Sequence, residues 1–119
     1  MIIAVTSTGT DLDSRVDPRF GRASYILIVD PDTMDFDVLD NKENVDALKG
    51  AGIQAASMVS DRGADVLLTG HCGPNAFKAM KAANIGVANN AAGSIKDAIQ
   101  AYLEGKLPLA HESDVEGQW

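Results

Sequence analysis

The stretch "DVLLTGHCGPNAFKAMKAANIGV", residues 65–87, decides how this chain must fold. Val66, Leu67 and Leu68 are apolar at consecutive positions, so both faces of that strand need cover, as in the middle of a parallel sheet. Gly70 and Gly73 interrupt the run. Pro74 then opens a helix predicted over 74–83, at the position where proline's missing N–H costs nothing. Phe77, Met80 and Ala83/Asn84 mark the side of that helix expected to be buried. "IGVAN", 85–89, reads as a second short strand. Strand, helix and parallel strand form a right-handed crossover, and the rest of the chain must arrange itself around that unit.

Working outward, "IIAVT" (2–6) is a β-branched apolar run and hence a buried strand. "STGTDLDSRVDPRFGRAS" has no periodicity and reads as a long loop; Gly9, Gly21 and its polar content predict mobility. "YILIVD" (25–30) and "MDFDVLD" (34–40), joined by the turn "PDT", predict an antiparallel hairpin. Met34, Phe36 and Val38 alternate there with Asp35 and Asp37, which leaves one face wet. "NKENVDALKGAG" (41–52) reads as a polar linker before a helix over 53–63 that turns Ile53, Ala56 and Val59/Ser60 inward and ends at Gly63. The last helix has Ser94 as its N-cap, Asp97 three residues on, and a stripe of Ile95, Ala98, Ile99, Tyr102 and Leu103. Gly105 and Pro108 end it. The sequence thus predicts one α/β domain over 1–107, three layers with helices on both faces of a mixed five-stranded sheet, and a polar tail over 108–119.

Composition narrows the function. A net charge of −7 argues against nucleic-acid binding, which wants a basic footprint. No apolar run reaches the roughly 18 residues of a membrane helix, so no membrane association is expected. The opening "MIIAVTSTGT" lacks a basic stretch followed by an apolar one, and a single cysteine forbids an internal disulfide, so a cytoplasmic protein is expected.

If the first strand runs parallel to the two in the quoted stretch, three loops leave one edge of the sheet: 7–23, 70–73 and 89–93. Ligands of open α/β sheets bind outside the carboxyl ends of parallel strands. Two helices begin at that edge, each with unpaired N–H groups and a partial positive charge. Arg15, Arg19 and Arg22 fall within eight positions, either pairing with Asp11, Asp13 and Asp17 or forming a local anion site. Sulfur and imidazole at Cys72 and His71 suit copper or another thiophilic metal. The competing reading makes Cys72 a small apolar filler. One Cys and one His do not complete a tetrahedral zinc site. No phosphate-cradling glycine motif, C-x-x-C pair or set of nucleophile, base and orienter is present, so no enzyme is signalled.

The pieces "AVTSTGTDLDSRVDPRFGRASYILIVD", "GAGIQAA", "DVLLTGHCGPNAFKAMKAANIGV" and "AAGSIKDAIQAYLEGKL" resemble the nitrogenase iron–molybdenum cofactor biosynthesis family. Its members are small carriers of metal–sulfur clusters with a ribonuclease H-like fold. The resemblance implies a cofactor site made of Arg19, Gly21 and Arg22, then Gly70, His71, Cys72, Gly73 and Asn75, then Ala92 and Gly93, with Cys72 and His71 as metal contacts. "GHCGPNAF" and the short length are nearest to members that hold a mixed molybdenum–copper sulfide cluster without covalent protein ligands. The implied cargo is therefore a molybdenum–copper sulfide, or alternatively an iron–molybdenum–sulfur precursor, on a monomeric, non-enzymatic carrier. The alternative is a regulatory module that docks ParA/MinD-like ATPases with ferredoxin-type segments and binds no cluster.

Overall fold

All five residues of the strand Ile3–Ser7 (β1) are buried, and β1 takes the middle of a five-stranded sheet. The structure, a computed structural model, describes residues 1–42 and 51–110. Beside β1 on one side lie Tyr25–Val29 (β2) and then Phe36–Asp40 (β3), each antiparallel to its neighbour. On the other side lie Val66–Leu68 (β4) and Gly86–Ala88 (β5), both parallel to β1, giving the order β3-β2-β1-β4-β5. Among the described residues the helices are Ala51–Asp61 (α1), Pro74–Ala82 (α2) and Ile95–Leu103 (α3). The mixed sheet and its hairpin match the sequence reading.

Alternation along the strands sorts their side chains into two cores, because successive residues point to opposite faces. Ala4, Ile26, Ile28, Leu67 and Val87 pack with α1 and α2 through Ala55, Val59, Phe77 and Met80. Ile3, Val5, Leu27, Val29, Leu68 and Ala88 pack with α3 through Ile95, Ala98 and Ile99. The sheet therefore has helices on both faces, which explains why its central strands are uninterrupted apolar runs. Each large aliphatic side chain buried this way contributes about 2 kcal/mol.

The helix faces differ in detail from the periodicity. In α1 the buried residues are Ala55, Ala56 and Val59, while Ile53 and Ser60 are exposed. The inward face is built from small residues because α1 lies close to α2; a Cβ on Gly52 would sit 3.0 Å from that of Ala76. Ala83 and Asn84 are exposed rather than buried, since α2 stops at Ala82 and Asn84 turns the chain with φ 65°. Only the first two turns of α3 are buried at Ile95, Ala98 and Ile99; Tyr102 is half-buried and Leu103 exposed. β3 begins at Phe36 because Met34 sits in the turn with φ 62°, its N–H donating to the Asp30 carbonyl at 2.7 Å. As an outer strand it is exposed on both faces, apart from half-buried Leu39.

Most of the linker expected over 41–52 lies outside the described residues, and Ala51 and Gly52 are already helical. Of the tail expected from 108, residues 111–119 lie outside the described residues. Just before them the chain still holds β5, with the Ala110 N–H donating to the Val87 carbonyl at 2.7 Å. Among the described residues no helix is long and apolar enough to cross a membrane.

Ser94 caps α3 as its sequence predicts: its Oγ accepts from the Asp97 N–H at 3.1 Å. Ser94→Ala is expected to cost about 1 kcal/mol. The check is a lower denaturant midpoint at an unchanged m-value.

Candidate functional site

Because β1, β4 and β5 are parallel, the loops at their carboxyl ends share one edge. The loop after β1 is far from irregular. It starts as a ribbon, with Ser7 paired to Val16 and the Thr8 N–H donating to the Arg15 carbonyl at 3.0 Å. Asp11 closes its tip by accepting from the Ser14 N–H at 3.1 Å through its carbonyl and from the Asp13 N–H at 2.9 Å through its carboxylate. The returning limb is tied to both neighbouring loops. Val16 N–H donates to the Gly93 carbonyl at 2.9 Å, and the His71 N–H to the Pro18 carbonyl at 2.7 Å. Phe20 N–H donates back to the His71 carbonyl at 3.2 Å. A loop predicted mobile from its composition is thus hydrogen-bonded along its length.

Gly70 makes this contact possible. A Cβ there would lie 2.6 Å from both the Cα and the carbonyl oxygen of Pro18. Pro18 to Phe20 can approach the second loop only where a side chain is missing.

Between the two loops and α1 lies a cleft of about 310 Å³. Arg19, Gly21 and Arg22 line it from one side, His71, Gly73 and Asn75 from the other, with Gly52 of α1 completing the wall. These six predicted site residues are brought together. The arginines are exposed, and so is His71. Asp11 and Asp17 are engaged in turns, the Asp17 carboxylate accepting the Arg19 N–H at 3.0 Å. Among the described residues neither Arg15 nor Arg19 forms an ion pair; the pairs there are Arg62–Asp37 and Lys106–Glu104. The neutralised-loop reading therefore does not hold for Arg15 and Arg19.

The two helix N-termini at this edge turn out to be unlike. On α3 the Ile95 N–H donates to the Ser14 carbonyl at 2.9 Å and the Lys96 N–H to the Leu12 carbonyl at 3.0 Å, while Ser94 serves Asp97. The loop after β1 has sealed that end. Ala92 and Gly93 accordingly do not line the cleft, and the first two N–H groups of α3, at Ile95 and Lys96, are already used. Gly93 instead supplies its positive φ of 80° and a carbonyl for Val16. On α2 the N-cap is Gly73, which offers no side chain, and Pro74 has no N–H. Among the described residues the Asn75 and Ala76 N–H groups have no acceptor, and both residues line the cleft. The positive end of the α2 dipole therefore opens beside Arg19 and Arg22.

Cys72 requires a correction. It has no solvent exposure and packs in the core with Phe20, Ala76 and Phe77. Its neighbours His71 and Gly73 line the cleft, so the residue between them points the other way, and the sulfur is not presented at the rim. Among the described residues no group of three or more His, Cys, Asp or Glu side chains could hold a metal ion. What the cleft offers, among the described residues, is charge, imidazole and amide N–H suited to a compact anion.

Sequence reasoning missed Gly52 and Phe20. Gly52 sits inside "GAGIQAA", at the end of a stretch read as a polar linker, and its glycine pair is the signal that could have marked a close approach. Phe20 gave no signal beyond being the one aromatic residue in a polar loop.

A family profile described as dinitrogenase iron–molybdenum cofactor matches residues 1–105. The apo form of the orange protein from Desulfovibrio gigas is similar, with 43% identity, 96% of each chain covered and a TM-score of 0.93. A Thermotoga protein proposed to be a NifB protein is 32% identical over 98% of each chain, with a TM-score of 0.83. An uncharacterised protein of Methanocaldococcus jannaschii is 29% identical over 100 residues, 80% of this chain and 82% of that one.

Proposed function

Since the chain belongs to the dinitrogenase iron–molybdenum cofactor family, we propose that it is a non-enzymatic carrier of an anionic metal–sulfur cluster, held in the cleft between Arg19–Arg22 and His71–Asn75. The observation that carries this reading is the convergence of two arginines on the uncapped N-terminus of α2. Anions favour such a helix end, where amide hydrogens and the dipole act together. Arg19 and Arg22 supply the charge, the Asn75 and Ala76 N–H groups supply hydrogen bonds, and His71 supplies a soft contact. The proposed cargo is a molybdenum–copper sulfide, with an iron–molybdenum–sulfur precursor as the other candidate.

Anaerobic titration with tetrathiomolybdate and copper(I), followed by visible absorption, tests the reading. A saturable complex whose affinity falls with added salt is expected, because exposed charges are screened over about 10 Å at 0.1 M. A protein that stays colourless at saturating metal sulfide would overturn it and turn attention to docking of a ParA/MinD-like ATPase. Cys72→Ala is expected to lower stability by about 1 kcal/mol through lost packing while changing cluster affinity less than about threefold. Retention that ignores salt and disappears with Cys72 alone would mean that the sulfur turns outward and ligates.

A further inference from the structure

The arginine segment 17–23 hangs between two buried polar clamps. At its first end the Thr6 hydroxyl donates to the Asp17 carbonyl at 2.7 Å and lies 2.9 Å from the Thr69 hydroxyl, both threonines being fully buried. At its far end stands Asn41, just past β3 and also without exposure. Its Nδ2 donates to the Ala23 carbonyl at 2.8 Å and to the Gly21 carbonyl at 3.4 Å, and its backbone N–H to the Ser24 carbonyl at 2.9 Å. Those side-chain bonds go to the residues immediately before and after Arg22.

A buried amide is costly unless its hydrogen bonds are made, and an apolar residue at 41 would leave the Gly21 and Ala23 carbonyls short of a donor. We propose that Asn41 is a positioning residue for the anion site: it fixes the peptide units on either side of Arg22 and so sets where that guanidinium stands relative to the α2 N-terminus. It touches no ligand itself, and it does not line the cleft. The inference rests on the reading of the cleft as an anion site. Displacement of a binding group by about 1 Å is enough to cost affinity, so a clamp buried behind the arginine governs binding from a distance.

A double-mutant cycle between Asn41→Ala and Arg22→Ala, read by titration with tetrathiomolybdate alone, tests it. Asn41→Ala is expected to weaken binding about tenfold, or about 1.4 kcal/mol, and to add less than about twofold once Arg22 is alanine. Full additivity would overturn the inference, because a general loosening of the fold acts whether or not Arg22 is present. If Arg22→Ala itself binds as tightly as the parent, the anion-site reading fails and takes the inference with it.

Asn41→Asp keeps the shape should the alanine variant be too unstable to study. Its neutral acid can donate to the Ala23 carbonyl and its carboxylate cannot. The ratio of variant to parent affinity is therefore expected to recover as pH is lowered from about 7 to about 5. A ratio that does not move with pH would overturn the inference.

Discussion

Replacing Arg19 and Arg22 together by alanine is expected to lower the affinity for an anionic metal sulfide by about a hundredfold. Both arginines line the cleft, and Arg19 has no acidic partner among the described residues, so its charge is available to a ligand. A unit charge at about 4 Å interacts with about 4 kcal/mol at the effective dielectric of a protein surface. Exposure and side-chain ordering reduce that to roughly 1.4 kcal/mol per arginine, a factor of ten each. The measurement is a competition titration at low salt, repeated near 0.5 M, where the difference between parent and variant should shrink. A hundredfold loss that persists at high salt would mean the arginines hold the ligand by geometry more than by charge. No loss at all would place the cargo elsewhere.

Gly70→Ala is expected to be the most damaging single substitution at this edge, costing about 3 kcal/mol or more in stability and abolishing anion binding. The new methyl would lie 2.6 Å from two backbone atoms of Pro18, and proline's ring leaves little freedom to retreat. Relief requires parting the two loops, which breaks the His71 to Pro18 and Phe20 to His71 hydrogen bonds and carries Arg19 away from the α2 N-terminus. Gly63 is the natural comparison. It has φ 73° but nothing within 4 Å of an added Cβ, so Gly63→Ala bears backbone strain alone, about 1 kcal/mol, with the cleft intact. Denaturant unfolding of both variants separates a clash from a strain. Equal effects would show that the approach of Pro18 to Gly70 is looser than the distance implies.

The sheet was legible in the sequence because its strands are short apolar runs, and the parallel unit around Val66–Leu68 constrained everything else. The edge rule for parallel strands then placed the arginine loop and the His71 turn together without any knowledge of contacts. Helix faces were less legible. α1 packs through Ala55, Ala56 and Gly52, and small residues leave a weak periodic signal, which is how exposed Ile53 came to be read as core. The direction of Cys72 was not readable either, since an aperiodic turn gives no rule for which of three consecutive side chains faces inward. Nor could any pattern show that residues 12–16 would cover the start of α3, because those bonds run between backbone atoms of segments about 80 positions apart. Asn41 is the extreme case. It is one polar residue in a polar stretch, and only the fold buries it against the loop that carries Arg22.

The two borders of the sheet are protected by different physics. Beside β5 the chain's own later residues fill the vacancy: Leu109 lies over Gly86, and Ala110 occupies a backbone acceptor. Beside β3, among the described residues, the outer border carries Asp35, Asp37 and Asp40; Asp37 is paired with Arg62, so Asp35 and Asp40 are left to repel a like-charged sibling strand. Polymerisation by strand addition is thus blocked mechanically on one flank and electrostatically on the other, and only the second of these guards weakens as ionic strength rises.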